Sequence, residues 1–259
     1  MTQSLHPSAQ QGFSLGAELY QQVRPSYPPE IVVWLQDQLK VGENSTVIDL
    51  GSGTGKFLPF LLQTQAKVIA VEPVTAMREQ LEQRYNTVEC LQTSSDQLLV
   101  KDESINAIIC AQSFHWFSNI ETLKEMYRVL IPTGHLGLVW NQRDITVDWV
   151  KALADEIAPF EADTPRYHSE KWKQVFEQQQ LFHFNGLQTF QLKHTGTVEQ
   201  VVSKRLLSTS FIAAMPEHQQ QQLKARFEQI VFDFTGQTAQ DQIDFPYTTF
   251  AYHFQKIAK

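Results

Sequence analysis

The stretch VIDLGSGTG (residues 47–55) sets Gly51, Gly53 and Gly55 at alternate positions behind an apolar run that holds Asp49. Glycine has no Cβ and tolerates positive φ, so a turn of this kind lets backbone N–H groups come close to a ligand. The helical pattern KFLPFLLQTQ follows directly, so the turn also offers a helix N-terminus to an anionic group. Glu72 ends the next apolar run, KVIAVEP, 17 positions beyond Gly55. An acid at that point accepts hydrogen bonds from ribose hydroxyls when the fold is a doubly wound sheet. Taken singly, these features also suit a tight turn and an ordinary strand-end acid. Together they predict a nucleoside ligand held by Asp49, Gly51, Ser52, Gly53, Gly55, Glu72 and Pro73. The glycine spacing is G-x-G-x-G, whereas dinucleotide enzymes favour G-x-G-x-x-G. Loop amides for a carboxylate and Asp49 for an ammonium suit a zwitterionic amino-acid tail, the tail of S-adenosylmethionine.

The elements that must position these residues alternate from residue 31 to about 140. IVVWLQDQL has helical spacing, TVIDL is a short strand, and KFLPFLLQTQ begins a helix despite Pro59. KVIAVEP, TVECLQT, INAIICAQS and HLGLVWNQ read as strands two to five. TAMREQLEQRY and NIETLKEMYRVL read as helices, the latter stopped by Pro132 and Gly134. Near-continuous Val/Ile/Leu runs are the signature of strands buried on both faces. Residues 145–183 read as helical and polar, 184–194 as a strand, 197–212 and 216–233 as helices, and FPYTTFAYHFQK as a closing strand. The prediction is an α/β fold: a doubly wound, Rossmann-like, mostly parallel seven-stranded sheet with an antiparallel last strand and helical cover. Residues 1–40 are expected to form an N-terminal lid, 41–145 the cofactor core, and 146–259 the substrate cover plus the last two strands of the same sheet.

Composition bounds the partners. A formal charge of −7 over 259 residues and a pI near 5.6 repel phosphate backbones, so no nucleic acid is expected. Cys90 and Cys110 make no disulfide framework, and the N-terminus MTQSLHPSAQQ has no signal-peptide pattern. No apolar stretch approaches the roughly 20 residues a membrane span needs. The expectation is a soluble, cytoplasmic protein acting on a small-molecule substrate, with no metal, no membrane partner and its oligomeric state left open.

VIDLGSGTG followed by VIAVEP resembles the first two motifs of class I S-adenosylmethionine-dependent methyltransferases. TSSDQLLVKDESINAIICAQSFHWF resembles the third and fourth motifs of the branch called methyltransferase type 11. The resemblance implies that Ser94, Ser95 and Asp96 line the adenine, with the contact passing to Asp96 or to the Ser95 amide because many relatives carry Asp where Ser94 stands. Leu99 replaces an expected proline, and Asn106 an expected acid. Ala111 and Gln112, ending strand four, complete the implied cofactor wall. AELYQQVRPSYP and AQSFHWF are similar to trans-aconitate methyltransferase-like proteins, whose substrates are small carboxylic acids. The implied function is methyl transfer from S-adenosylmethionine to a small molecule, possible acceptors including a carboxylic acid. Two alternatives stand beside it: a non-catalytic S-adenosylmethionine-binding protein, and a nicotinamide-dependent oxidoreductase, which would want a Y-x-x-x-K pair that the chain lacks.

Methyl transfer from a sulfonium is an in-line displacement with a neutral leaving group, so alignment and exclusion of water matter most. His115 follows strand four at the ligand-binding edge and is the candidate catalytic base, with a structural ring as the other reading. Trp116 and Phe114 either face the sulfonium or belong to the core. Arg24 either clamps a carboxylate or braces the N-terminal helix. Tyr20 and Tyr27 flank it as lid residues, and Trp140 and Asn141 end strand five beside the expected substrate.

Overall fold

The computed structural model describes residues 23–177 and 179–258. Seven strands form one sheet in the order β3-β2-β1-β4-β5-β7-β6. They are β1 Thr46–Leu50, β2 Lys67–Val71, β3 Glu89–Leu91, β4 Ile105–Ala111, β5 Leu130–Arg143, β6 Phe182–Thr197 and β7 Gln242–Lys256. β1 to β5 pair in parallel, while β7 runs antiparallel to both β5 and β6. The doubly wound sheet with an antiparallel last strand is therefore the observed architecture.

Alternate residues of the central strands face opposite layers, as a two-residue period requires. Ile48, Leu50, Ile69 and Ile108 enter one core with Phe114, Trp140 and Trp172. Val47, Val68, Ala107 and Ile109 enter the other with Ile31, Trp34 and Leu58. Helices cover both faces: α1 Glu30–Asp37, α2 Leu58–Gln63, α3 Thr75–Arg84 and α4 Ile120–Val129. Pro59 sits in the first turn of α2, where its missing N–H costs no hydrogen bond. Asn119 caps α4, its side chain accepting from the Thr122 N–H at 2.8 Å. Asn106, in place of an acid, accepts from the Thr46 N–H at 2.8 Å and ties β4 to the start of β1.

The cover departs from its expected outline. The described residues of 145–183 yield one helix, α5 Asp148–Ile157, and two short 3₁₀ turns at Ala158–Phe160 and Lys171–Phe176. The helix expected over 197–212 breaks into a π-helical turn at Glu199–Lys204, α6 Arg205–Leu207 and α7 Ser210–Ala213. Thr209, extended at ψ 132°, breaks the last two apart. The long α8, Glu217–Thr235, carries the glutamine run. β5 starts at Leu130, before Pro132 and Gly134, because Leu130 already pairs with Ile105 across an irregular register. The cover packs its own core, in which Val150, Leu153, Val202 and Phe227 meet Phe245 and Tyr247 of β7. Strand order reverses between β1 and β4, so the loops at their carboxyl ends frame a crevice at the edge where such sheets bind ligands.

Candidate functional site

A cavity of about 250 Å³ opens at that crevice. Its floor is the β1–α2 loop. The Gly51 and Ser52 N–H groups donate to the Val71 carbonyl of β2 at 2.9 and 3.1 Å, and Ser52 Oγ donates to the Asp49 carbonyl at 2.6 Å. This pins the loop to the sheet with φ values of +72° at Gly51, +57° at Gly53 and +81° at Gly55. A Cβ on Gly51 would lie 2.6 Å from the Ser113 side chain, and one on Gly55 would lie 2.8 Å from the Tyr85 ring. A Cβ on Gly53 would meet nothing closer than Met77 Sδ at 3.8 Å, because it would point into the cavity.

Two carboxyl groups stand beside the loop. Glu72, 5% exposed, accepts from the Gly53 N–H through Oε2 and from the Val74 N–H through Oε1, each at 2.8 Å. Burial pushes it up to about 7. Asp49 is 1% exposed, and among the described residues neither carboxylate oxygen has a hydrogen-bond partner. Burial, reinforced by the Glu72 charge, lifts it to about 7 as well. A buried carboxyl without a partner is costly and calls for a donor supplied from elsewhere. Asp49 lines the open cavity, so a ligand ammonium or hydroxyl there would satisfy it. The far wall carries Thr93, Ser94, Ser95 and Asp96, with Phe117 and Asn119 across from them. Ser94 Oγ donates to Asp96, and Ser95 Oγ is bonded to Thr122 Oγ1 of α4 at 2.9 Å. The residues fit an adenosyl amino acid: an open glycine for close approach, buried acids for its donors, and polar and aromatic groups for a base.

A second cavity adjoins the first, and Arg24, Gln112, Trp116 and Arg205 line both. Gln112 holds a left-handed conformation at φ +60°, its N–H bonded to the Val139 carbonyl at 2.8 Å. Such backbone strain persists only where the surroundings fix it. Beyond this junction lie His115, Trp140, Arg143, Arg166 and Tyr247. Four arginines thus converge, and among the described residues no acidic side chain lines this cavity. Burial lowers Arg143 to about 10, with Arg166 adding to the effect, and it lowers Arg166 too. Glu161 answers part of this charge, 3.5 Å from Arg166 and 2.8 Å from His168. Among the described residues, Arg205 Nε and the Tyr247 hydroxyl are buried without hydrogen-bond partners.

Comparison with known proteins places this architecture. A profile described as a methyltransferase domain matches residues 48–138. An uncharacterised methyltransferase-like protein of Schizosaccharomyces pombe is 35% identical over 92% of this chain and 92% of its own length. A second methyltransferase of that yeast is 34% identical over 92% and 94%. The chain belongs to the S-adenosylmethionine-dependent methyltransferases. The fold agrees with a solved structure of a candidate type II methyltransferase from Anaeromyxobacter dehalogenans. That match has a TM-score of 0.66 at 18% identity and covers 91% of this chain and 97% of the other.

In this methyltransferase, eleven of the sequence-predicted cofactor residues gather around the first cavity: Asp49, Gly51, Ser52, Gly53, Glu72, Pro73, Ser94, Ser95, Asp96, Ala111 and Gln112. Gly55 does not line it. Its missing side chain leaves room for the Tyr85 ring, which is a packing reason. Tyr27, expected at the substrate, lines the first cavity and packs edge-on against Phe57 at 4.8 Å. Arg24 and Trp116 bridge both cavities, whereas His115, Trp140 and Asn141 line the second alone. Both ends of the Asn141 amide are engaged, donating to the Ser26 carbonyl at 2.8 Å and accepting from Thr249 Oγ1 at 2.7 Å. Phe114 is fully buried among Phe117, Trp172 and Phe176, in the core and away from both cavities. Tyr20 lies outside the described residues. Sequence reasoning missed Arg143, Arg166, Arg205 and Tyr247. Arg143, two positions after Asn141 on the same strand, was within reach of a strand-end argument, but nothing in the spacing marks the others.

Among the described residues no group of three His, Cys, Asp or Glu side chains could hold a metal ion, and no helix is long and apolar enough to cross a membrane.

Proposed function

We propose that this methyltransferase esterifies a small carboxylic acid, whose carboxylate is the nucleophile. The observation that carries the reading is the convergence of Arg24, Arg143, Arg166 and Arg205 on a cavity with no acidic lining among the described residues, in a chain whose net charge is −7. Half-buried guanidinium groups gathered on one cavity favour a bound anion beyond the charge that Glu161 supplies to Arg166, and planar guanidinium suits a carboxylate bidentately. The partnerless Arg205 Nε and Tyr247 hydroxyl add two donors for its oxygens.

S-adenosylmethionine supplies a methyl group on a positively charged sulfur and leaves as a neutral thioether, so the leaving group needs no proton. We assign Asp49, Glu72 and the Gly53 backbone to the amino-acid and ribose end of that cofactor, and Thr93 to Asp96 with Phe117 to its base. Gln112, Trp116, Arg24 and Arg205 stand at the junction and orient the acceptor oxygen toward the cofactor side, which is the positional work a displacement requires. A carboxylate is already ionised at neutral pH, so the arginines bind it without having to deprotonate it.

The test is a panel of carboxylic acids, their amides, phenols and amines with S-adenosylmethionine, methyl esters being read by mass spectrometry. Carboxylates are expected to be turned over and their amides to be inert. Arg143→Met should raise the acceptor KM about 10- to 100-fold, the range of a lost charge-assisted hydrogen bond, with cofactor affinity unchanged. Turnover confined to uncharged phenols or amines overturns the proposal.

A further inference from the structure

His115 sits in the 3₁₀ turn Phe114–Trp116 at the carboxyl end of β4 and lines the arginine-rich cavity. Its Nδ1 accepts a hydrogen bond from Trp140 Nε1 at 3.1 Å. An indole nitrogen can only donate, so Nδ1 must carry a lone pair, and the proton of the neutral ring is on Nε2. Trp140 cannot turn away to allow anything else. It is fully buried in β5, with ring centroids 4.5 Å from Trp172, 5.1 Å from Tyr167 and 5.9 Å from Tyr252. Nε2 makes no hydrogen bond within the described residues.

The charges around the ring hold this state. Arg24 faces it from the N-terminal segment, Arg143 from β5, Arg205 from α6, and Arg166 and His168 from the segment before the Lys171–Phe176 turn. Tyr247 faces it from β7, and Glu161, Asp163 and Lys171 line a further hollow that His115 also borders. Burial and the charges of Arg166 and Arg24 together lower the imidazole to about 3. A second ring proton would have to sit on Nδ1, pointing at an N–H, and would add a cation to a cationic cavity.

We infer that His115 is an acceptor-binding hydrogen-bond donor: its Nε2–H, fixed by the Trp140 indole, holds an oxygen of the methyl acceptor. A base must present a lone pair to the proton it removes, and the one lone pair of this ring is taken by Trp140. His115 is therefore not the base for a neutral nucleophile. Trp140 is a positioning residue acting through His115. The inference rests on the carboxylic-acid reading for the identity of the oxygen, but the tautomer stands or falls separately.

Two measurements test it. Proton-coupled nitrogen NMR of the histidine-labelled full chain should give His115 the Nε2–H tautomer, unchanged from pH 5 to 9. A proton on Nδ1, or a titration inside that range, overturns the inference whatever the acceptor proves to be. Kinetics with a turned-over acceptor at saturating cofactor should give a kcat/KM profile between pH 6 and 8 that is the same in the parent and in His115→Gln. His115→Gln, which restores an N–H, should stay within several-fold of the parent. His115→Phe should raise the acceptor KM about 10- to 100-fold, the range for a hydrogen bond to a charged group, with cofactor affinity kept. Equal inactivity of the Gln and Phe variants, with loss of a rising limb near pH 6.5 in the parent, would establish a base and refute the donor. Should only neutral acceptors be methylated, the carboxylic-acid reading fails while the NMR result still decides the tautomer.

Discussion

Replacing Asp49 by asparagine tests the cofactor cavity through a change in sign that a structural carboxyl would not show. Asp49 has an ordinary value of 3.8 and stands at about 7 in the folded chain, first because it is buried and second because Glu72 is near. A raised acid is disfavoured in its ionised form by folding. The penalty is absent below about pH 4, grows as the pH climbs to about 7, and stays constant above that. At about 1.4 kcal/mol per tenfold, the full penalty is roughly 4 kcal/mol at pH 8 as an upper bound, of which about 2 to 3 kcal/mol develops above pH 5. The amide of Asp49→Asn cannot ionise, so the cofactor-free variant should be more stable than the parent at pH 8 and lose most of that advantage at pH 5. For a chain of this size a gain of 1 kcal/mol raises Tm by about 2 °C, so the gap at pH 8 should be several degrees. S-adenosylmethionine should reverse the order, because its donors pair with the ionised carboxylates of the parent and find a neutral amide in the variant. Differential scanning calorimetry at both pH values, with and without cofactor, reads all four states. A variant equally destabilised at both pH values, or stabilised by the cofactor as much as the parent is, refutes the argument.

Gly53→Ala should leave the fold standing at a cost of about 1–2 kcal/mol for a left-handed alanine, yet weaken cofactor binding at least tenfold by calorimetric titration, since the added methyl projects into the cavity. Gly55→Ala should do the opposite, lowering Tm by the overpacking against Tyr85, worth about 1–3 kcal/mol, while the folded fraction still binds the cofactor. Arg24→Ala removes two hydrogen bonds to Ser208, from Nε at 3.2 Å and Nη2 at 2.9 Å, and a cation shared by both cavities. It should raise the acceptor KM more than the cofactor KM; equal rises would mark Arg24 as a brace alone.

Much of the lining of the first cavity was legible because its determinants are local. Asp49 to Gly53 lie on one corner, and Glu72 is brought back to that corner by the parallel pairing of β1 with β2, which the two apolar runs imply. The glycine pattern could not say which glycine faces the ligand. Gly51, Gly53 and Gly55 share positive φ, and what a Cβ would meet depends on Ser113 and Tyr85, 62 and 30 positions further along the chain from Gly51 and Gly55 respectively. The broken helix at 199–213 was illegible for a related reason, since its apolar residues satisfy a helical period that local hydrogen bonding then interrupts.

The sequence by itself determined the alternation of strand and helix, hence the sheet, and the βα corner, because hydrophobic period and glycine chemistry act over a few residues. The tertiary structure decided the chemistry of the second cavity. Arg24, Arg143, Arg166 and Arg205 come from four separate segments and acquire meaning only when they share one cavity. The protonation of His115 was set by Trp140 through the register of β4 against β5, which pairs Ala111 with Val139. Electrostatic and hydrogen-bond partners are chosen by distance in space, and no local pattern encodes that distance.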